Sequence, residues 1–306
     1  MNASSKAPKI GLALGSGASR GWSHIGVLKA LLAADIEPDI ICGTSVGAMV
    51  GASYAAGNLE ALEKWVLGSN RGDVLSFFNF RMARTAFVDI ERFNWFLHHF
   101  VAAEHVQIDE LGKVFAAVCT NLENGQEVWL TQGAAADAVR ASMAMPGLFP
   151  PEHNNERWLV DGGLVNPVPI STCRALGAEI VIGVNLNSDR LSSRKPKNSE
   201  AAAPQVDGFL GNLKKQTMDY SNAFFPHAEE VDKPPGLFST ISMSLNIFQD
   251  QITRNRLQAD PADVMISPKV GDIRMLDFQR ADDAIAEGYS RAQSVLSELH
   301  RLIDAH

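Results

Sequence analysis

The sequence predicts an α/β fold, and three observations carry that prediction. Two short apolar runs, Lys9–Leu14 and Asp39–Cys42, each lead into a loop of small residues and then into a helical pattern. A later run, Glu179–Leu186 (EIVIGVNL), is apolar almost throughout, as a strand covered on both faces must be. Strands alternating with helices at this spacing make βαβ units.

Composition sets the frame. The chain has 306 residues, 46% of them hydrophobic, and a formal net charge of −8. That length accommodates one large α/β domain or two smaller ones. The acidic balance and the lack of a basic stripe disfavour nucleic acid as a partner and strong attraction to anionic membranes. Cys42, Cys119 and Cys173 are odd in number and lie in apolar contexts, which suits buried free thiols in a reducing compartment. The N-terminal MNASSKAPK has no apolar core of a signal segment, so the expected location is cytoplasmic.

Taken in order, Lys9–Leu14 is the first strand. The loop Gly15-Ser16-Gly17-Ala18-Ser19-Arg20-Gly21 follows, then a helix from Trp22 to about Ala34 with Ile25, Leu28, Leu31 and Leu32 at helical spacing. Backbone N–H groups of such a loop converge on an anion. Two chemistries compete for it. One is a dinucleotide site, with Gly15, Gly17 and Gly21 around the phosphates and Asp35, Glu37 or Asp39 on the ribose. The other is an oxyanion hole for a nucleophile on the next βα unit. A plain tight turn is the third reading.

Asp39–Cys42 is the second strand and runs into Gly43-Thr44-Ser45-Val46-Gly47, which matches G-x-S-x-G. A strand-to-helix turn this sharp strains its central residue, and Gly43 and Gly47 let strand and helix approach. Ser45 then projects at a helix N-terminus, where partial positive charge favours a developing anion. Neighbouring strands bring the Gly15 loop and Ser45 to one sheet edge, which favours the oxyanion reading.

A helix follows at Leu59–Leu67. The stretch Val74–Phe100 is dense in aromatics, and Phe93, Phe96, Leu97 and Phe100 share a helical face that packs on the sheet or contacts lipid. Lys113–Thr120 and Gln126–Thr131 form a hairpin around Asn124-Gly125. Ala134–Ser142 is a short helix, Met145–Pro151 a loop, and Arg157–Val160 a strand ending in Asp161-Gly162-Gly163. Asp161 closes an apolar strand; it is a turn-forming cap or the partner of Ser45. Composition turns polar over 187–236, read as a mobile insertion. Leu237–Leu257 reads as an amphipathic helix with Ile241, Leu245, Phe248 and Ile252 on one face, whose contact could be core, membrane or a second copy; Ala262–Ser267 is a last strand and Ala281–Ile303 a closing helix. The domain division is thus a core at 9–186, the insertion at 187–236, and C-terminal elements at 237–306 packing on the core.

A serine hydroxyl needs a base. In the α/β-hydrolase order a histidine follows the acid, but downstream of Asp161 stand only His227, His300 and His306, none of them after a strand. A Ser45–Asp161 dyad remains, helped by desolvation of Asp161 and by a strong oxyanion hole.

The Gly-rich loop, G-x-S-x-G about 25 residues on, and D-G-G at a later strand end together resemble the patatin-like phospholipase family, over about Ile10–Leu186. GLALGSGASRGWSHIGVL and DGGLVNPVPI are similar, more narrowly, to its bacterial RssA-like branch. The resemblance implies a three-layer α/β/α fold with a mostly parallel central sheet, and lipid acyl-ester hydrolysis without metal or cofactor. It implies Ser45 as nucleophile and Asp161 as base. The backbone amides of Gly15, Ser16, Gly17 and Ala18 would form the oxyanion hole, with Arg20, Gly21, Gly43, Gly47, Gly162 and Gly163 as supporting motif positions. The implied partner is a phospholipid or lysophospholipid substrate, with peripheral contact at the inner membrane face compatible. A fold kept for regulation or scaffolding is the competing reading. Ser16 and Ala18 stand where many members carry glycine.

Overall fold

A computed structural model describes residues 7–70, 72–73, 76–77, 88–188 and 237–306. Eight strands make one sheet: β1 (Ile10–Leu14), β2 (Ile40–Thr44), β3 (Val114–Asn121), β4 (Glu127–Leu130), β5 (Glu152–Asn154), β6 (Arg157–Asp161), β7 (Ile180–Val184) and β8 (Val264–Ile266). The order is β5-β6-β3-β2-β1-β7-β8, with β4 also paired to β3. β3, β2, β1, β7 and β8 run parallel; β4, β5 and β6 join by antiparallel pairing. The helices are α1 (Ser23–Leu32), α2 (Val46–Ala55), α3 (Leu59–Gly68), α4 (Ile90–Phe100), α5 (Ala135–Ser142), α6 (Ile170–Ala175), α7 (Leu237–Ala259), α8 (Ala281–Gln293) and α9 (Leu296–Asp304).

Side chains alternate across the sheet, so each strand feeds two layers. Leu12, Leu14 and Ile41 enter the larger core beneath α1 and α2, with α8 packed on α1. Ala13, Ile40 and Cys42 face the other way, onto Ile170 and Cys173 of α6. The result is helices on both faces of a mostly parallel sheet, as expected. All three cysteines are buried free thiols.

One feature of β3 positions the site. β4 occupies one edge of β3 along Ala117–Thr120. β2 and β6 must therefore share the other edge, because a strand has only two. β2 runs along it and stops at Thr44, opposite Val118. β6 comes from the opposite direction and stops at Asp161, opposite Cys119. Two strand ends meet head to head at consecutive positions of β3.

One strand is added and one expectation needs correction. The added strand, Glu152–Asn154, lies between the expected loop and β6 and forms a hairpin with β6 through Asn155 and Glu156, both at positive φ. The closing helix is two helices, broken at Ser294–Val295. In α7 the apolar face that carries Phe248 is not the buried one: Phe248 is 61% exposed, while Asn246, Gln249, Asp250 and Thr253 are buried. The surface opposite is a polar backbone loop, so the helix turns its polar stripe inward to bond it. Of the insertion expected over 187–236, residues 189–236 lie outside the described residues, as do the aromatics Phe78, Phe80 and Phe87. Among the described residues, no helix is long and apolar enough to cross a membrane.

Candidate active site

Ser45 sits between β2 and α2 with φ 57° and ψ −124°. A non-glycine residue there costs about 1–3 kcal/mol, and its surroundings must hold it. The Ser45 N–H donates to Ser142 Oγ at 2.9 Å, and Ser142 Oγ donates to Val118 O at 2.6 Å. The preceding Thr44 Oγ1 donates to Asn166 O at 2.8 Å. At Gly47 a methyl would overlap Leu14 O, and at Gly162 it would overlap Val118 O. Only glycine allows both turns to pack against their strands. Gly21 and Gly43 likewise lie flush against α2.

The head-to-head strand ends place Ser45 Oγ 2.6 Å from Asp161 Oδ2, to which it donates. The other carboxylate oxygen, Oδ1, accepts the Gly163 N–H at 2.7 Å. Asp161 is 1% exposed. Burial pushes its carboxyl up to about 6, against the lowering pull of the Ser45 and Gly163 hydrogen bonds. That makes it a better proton acceptor than an exposed aspartate.

The Gly-rich loop reaches the same place, but not all of its amides point to it. The Gly15 N–H donates to Val184 O and the Ser16 N–H to Pro167 O. Gly17 and Ala18 N–H find no backbone or side-chain acceptor among the described residues. Of the four amides in the expected donor set, those of Gly15 and Ser16 are thus already engaged. Ala18 has φ 48°, and it lines the same cavity as Ser45. The dinucleotide reading also loses its acids. Asp39 stands at the start of β2, where it accepts the Ile10 N–H, and Gly15 follows the end of β1. The two lie at opposite ends of parallel strands, about 16 Å apart at ~3.3 Å per residue.

Arg20 is wholly buried beneath the loop. Its Nε donates to Gly17 O at 3.1 Å, Nη1 to Leu186 O at 3.1 Å and Asn187 Oδ1 at 2.9 Å, and Nη2 to Asn246 Oδ1 at 3.2 Å. One planar guanidinium thus ties the loop to the end of β7 and to α7. His24 Nε2 lies 2.8 Å from Gly15 O, which can only accept, so that nitrogen carries the proton. Burial holds His24 down at about 4 and therefore neutral.

Ser45 opens onto a cavity of about 100 Å³ whose other described lining residues are all apolar or aromatic, among them Trp22, Met49, Phe93, Phe96 and Phe149. Phe93 and Phe96 are therefore both core residues and cavity wall. Sequence reading missed Ser142, Asn166, Asn246 and Gln249. Ser142 carries no local signal, since a helix-terminal serine is commonplace. The polar stripe Asn246–Gln249–Asp250–Thr253 is visible at helical spacing and could have flagged a buried polar face. Among the described residues, no cluster of three or more histidine, cysteine or acidic side chains could hold a metal ion.

Known proteins resemble this chain along most of its length. An uncharacterized NTE family protein of Mycobacterium bovis is 27% identical over 335 residues, covering 95% of this chain and 92% of that protein. The lysophospholipase nte1 of Neurospora crassa is 26% identical over 295 residues, again 95% of this chain but 18% of that longer protein. The crystal structure of VipD from Legionella pneumophila superposes with a TM-score of 0.49 at 14% identity, covering 96% of this chain and 67% of that one. The model of the patatin-like phospholipases matches residues 12–174, a span that begins in β1 and contains the loop, the serine turn and the Asp-Gly-Gly turn. The chain belongs to the patatin-like phospholipase family.

Proposed function

We propose that this chain hydrolyses carboxylic ester bonds of lipids of the phospholipid or lysophospholipid class, with Ser45 as nucleophile and Asp161 as its base. The observation that carries the reading is the 2.6 Å Ser45–Asp161 hydrogen bond at the wall of an apolar cavity. The cavity suits an acyl chain, and family membership and the lysophospholipase relative supply the substrate class.

In the first step Asp161 Oδ2 takes the Ser45 proton as Oγ attacks the ester carbonyl carbon. The electron pair moves to the carbonyl oxygen, which Gly17 and Ala18 N–H receive; each such donor is worth about 3–4 kcal/mol in the transition state. Collapse expels the alcohol oxygen, which takes the proton from Asp161 and leaves an acyl-serine. Water then attacks the acyl carbon, passes a proton to Asp161, and the fatty acid departs as Ser45 regains that proton. Arg20 and the Gly15 and Ser16 bonds keep the two donors in place throughout, so no reorganisation is needed as charge develops.

The test is labelling with a serine-reactive fluorophosphonate beside lysophospholipid hydrolysis, on wild type and Ser45→Ala. Labelling and fatty-acid release by wild type, both absent from a folded Ser45→Ala, support the proposal. Hydrolysis that survives Ser45→Ala ends it.

A further inference from the structure

The buried polar stripe of α7 touches both halves of the machinery described above. Ser16 Oγ donates to Gln249 Oε1 at 3.3 Å. With Oε1 so engaged, Nε2 packs on the Asp161 turn: a Cβ placed on Gly163 would lie 2.4 Å from Nε2 and 2.9 Å from Asp161 Oδ1. Gln249 is buried, 5% exposed. One turn earlier, Asn246 Oδ1 accepts from Arg20, whose Nε holds Gly17 O.

We propose that Gln249 is a positioning residue for the ester hydrolysis: bonded to Ser16 and packed on Gly163, it holds the Gly15–Ala18 loop against the Asp161–Gly163 turn. The inference rests on the Ser45–Asp161 reading and deepens it. It accounts for two features of this chain at once. Ser16 is there because a loop glycine would offer Gln249 no hydroxyl. Gly163 is there because the Gln249 amide occupies the space of a Cβ. Among the described residues, the Asp161 carboxylate beside this packing contact receives two direct hydrogen bonds, from Ser45 and Gly163. The other titratable group set against Asp161 is the Cys119 thiol, which burial and the charge of Asp161 push well up, so it remains neutral at the working pH.

The experiment compares wild type, Gln249→Leu, Gln249→Glu, Ser16→Ala and the Ser16→Ala/Gln249→Leu double variant. The readouts are steady-state hydrolysis of a short p-nitrophenyl ester across pH 4.5–9, fluorophosphonate labelling rate and melting temperature. Gln249→Leu lowers kcat about 10- to 100-fold, the cost of a misplaced site, with KM within about twofold of wild type. Ser16→Ala acts in the same direction, and the double variant is no slower than the worse single one. Gln249→Glu keeps the shape and the acceptor for Ser16 but sets a like charge beside Asp161, so the acid limb of kcat/KM moves up by about one pH unit. A structural role alone would lower rates at every pH and leave that limb in place. An unmoved acid limb in Gln249→Glu, or additive losses in the double variant, overturns the inference; these two variants decide it even where Gln249→Leu fails to fold. If wild type itself neither labels nor turns over, the hydrolase reading falls and this one with it. If wild type labels and the Gln249 variants match it, this inference alone falls.

Discussion

Asp161→Asn should abolish turnover and at the same time make the protein more stable at neutral pH. The folded state raises the carboxyl from 3.8 to about 6, because a buried charge is costlier than the two hydrogen bonds to Asp161 can offset. At ~1.4 kcal/mol per pH unit, that corresponds to about 3 kcal/mol. The direction follows from proton binding. Between pH 3.8 and about 6 the folded protein holds a proton that the unfolded chain has released, so stability falls as pH rises. The favourable contribution is full below 3.8 and is lost once pH passes about 6. Asparagine carries no charge, keeps an oxygen for the Gly163 N–H and presents an amide to Ser45. Urea unfolding of wild type and Asp161→Asn, run at unit steps from pH 4 to pH 8, reads the difference. The two should be nearly equally stable at pH 4, diverge through pH 5 and 6, and differ by up to about 3 kcal/mol at pH 8. The same group governs rate. With a midpoint of about 6, the base form should fall about tenfold between pH 7 and pH 5, and kcat/KM with it. A variant no more stable than wild type at pH 8, or a difference independent of pH, would show that Asp161 is not held against an ionisation cost.

Two further predictions rest on single contacts. Ser142→Ala leaves the buried Ser45 N–H without its acceptor, a loss of about 1–3 kcal/mol, and frees the strained turn, so melting temperature and esterase kcat should fall together; an unchanged kcat would refute the support role. Phe149→Ala removes a ring that packs on Phe93 at 4.9 Å in the cavity wall, so the preference among p-nitrophenyl esters should move toward longer acyl chains at a stability cost of about 2–3 kcal/mol; an unshifted chain-length profile would place the acyl chain elsewhere.

Much of the site is legible along the chain because its parts are local. The Ser45 turn needs only an apolar strand, small flanking residues and a helix, all within residues 40–55, and the structure keeps that order. The Gly15 loop is local too, but which of its amides stay available is not. Gly15 and Ser16 lose theirs to Val184 and Pro167, more than 150 residues away, and no pattern within the loop announces those partners. Which face of α7 is buried is not legible for the same reason. The apolar face with Leu245, Phe248 and Ile252 packs inward only against an apolar neighbour, whereas the real neighbour carries Arg20 and Ser16, whose polar atoms must be bonded when buried. The break in the closing helix at Ser294–Val295 has no strong breaker in the sequence, only serines and a β-branched residue.

By itself the sequence determined the α/β class, the two strand–loop–helix units at its start, and the identity of the serine and the aspartate that merit attention. Those are outcomes of short-range sterics and periodicity, which the backbone expresses wherever the segment sits. The tertiary structure alone decided that Ser45 and Asp161, 116 positions apart, stand 2.6 Å from each other, because β2 and β6 share one edge of β3 from opposite directions. It also decided that a helix 233 positions from Ser16 turns its amides inward to hold the loop. Both depend on which surfaces meet, and burial imposes its hydrogen-bonding demands only after they have met.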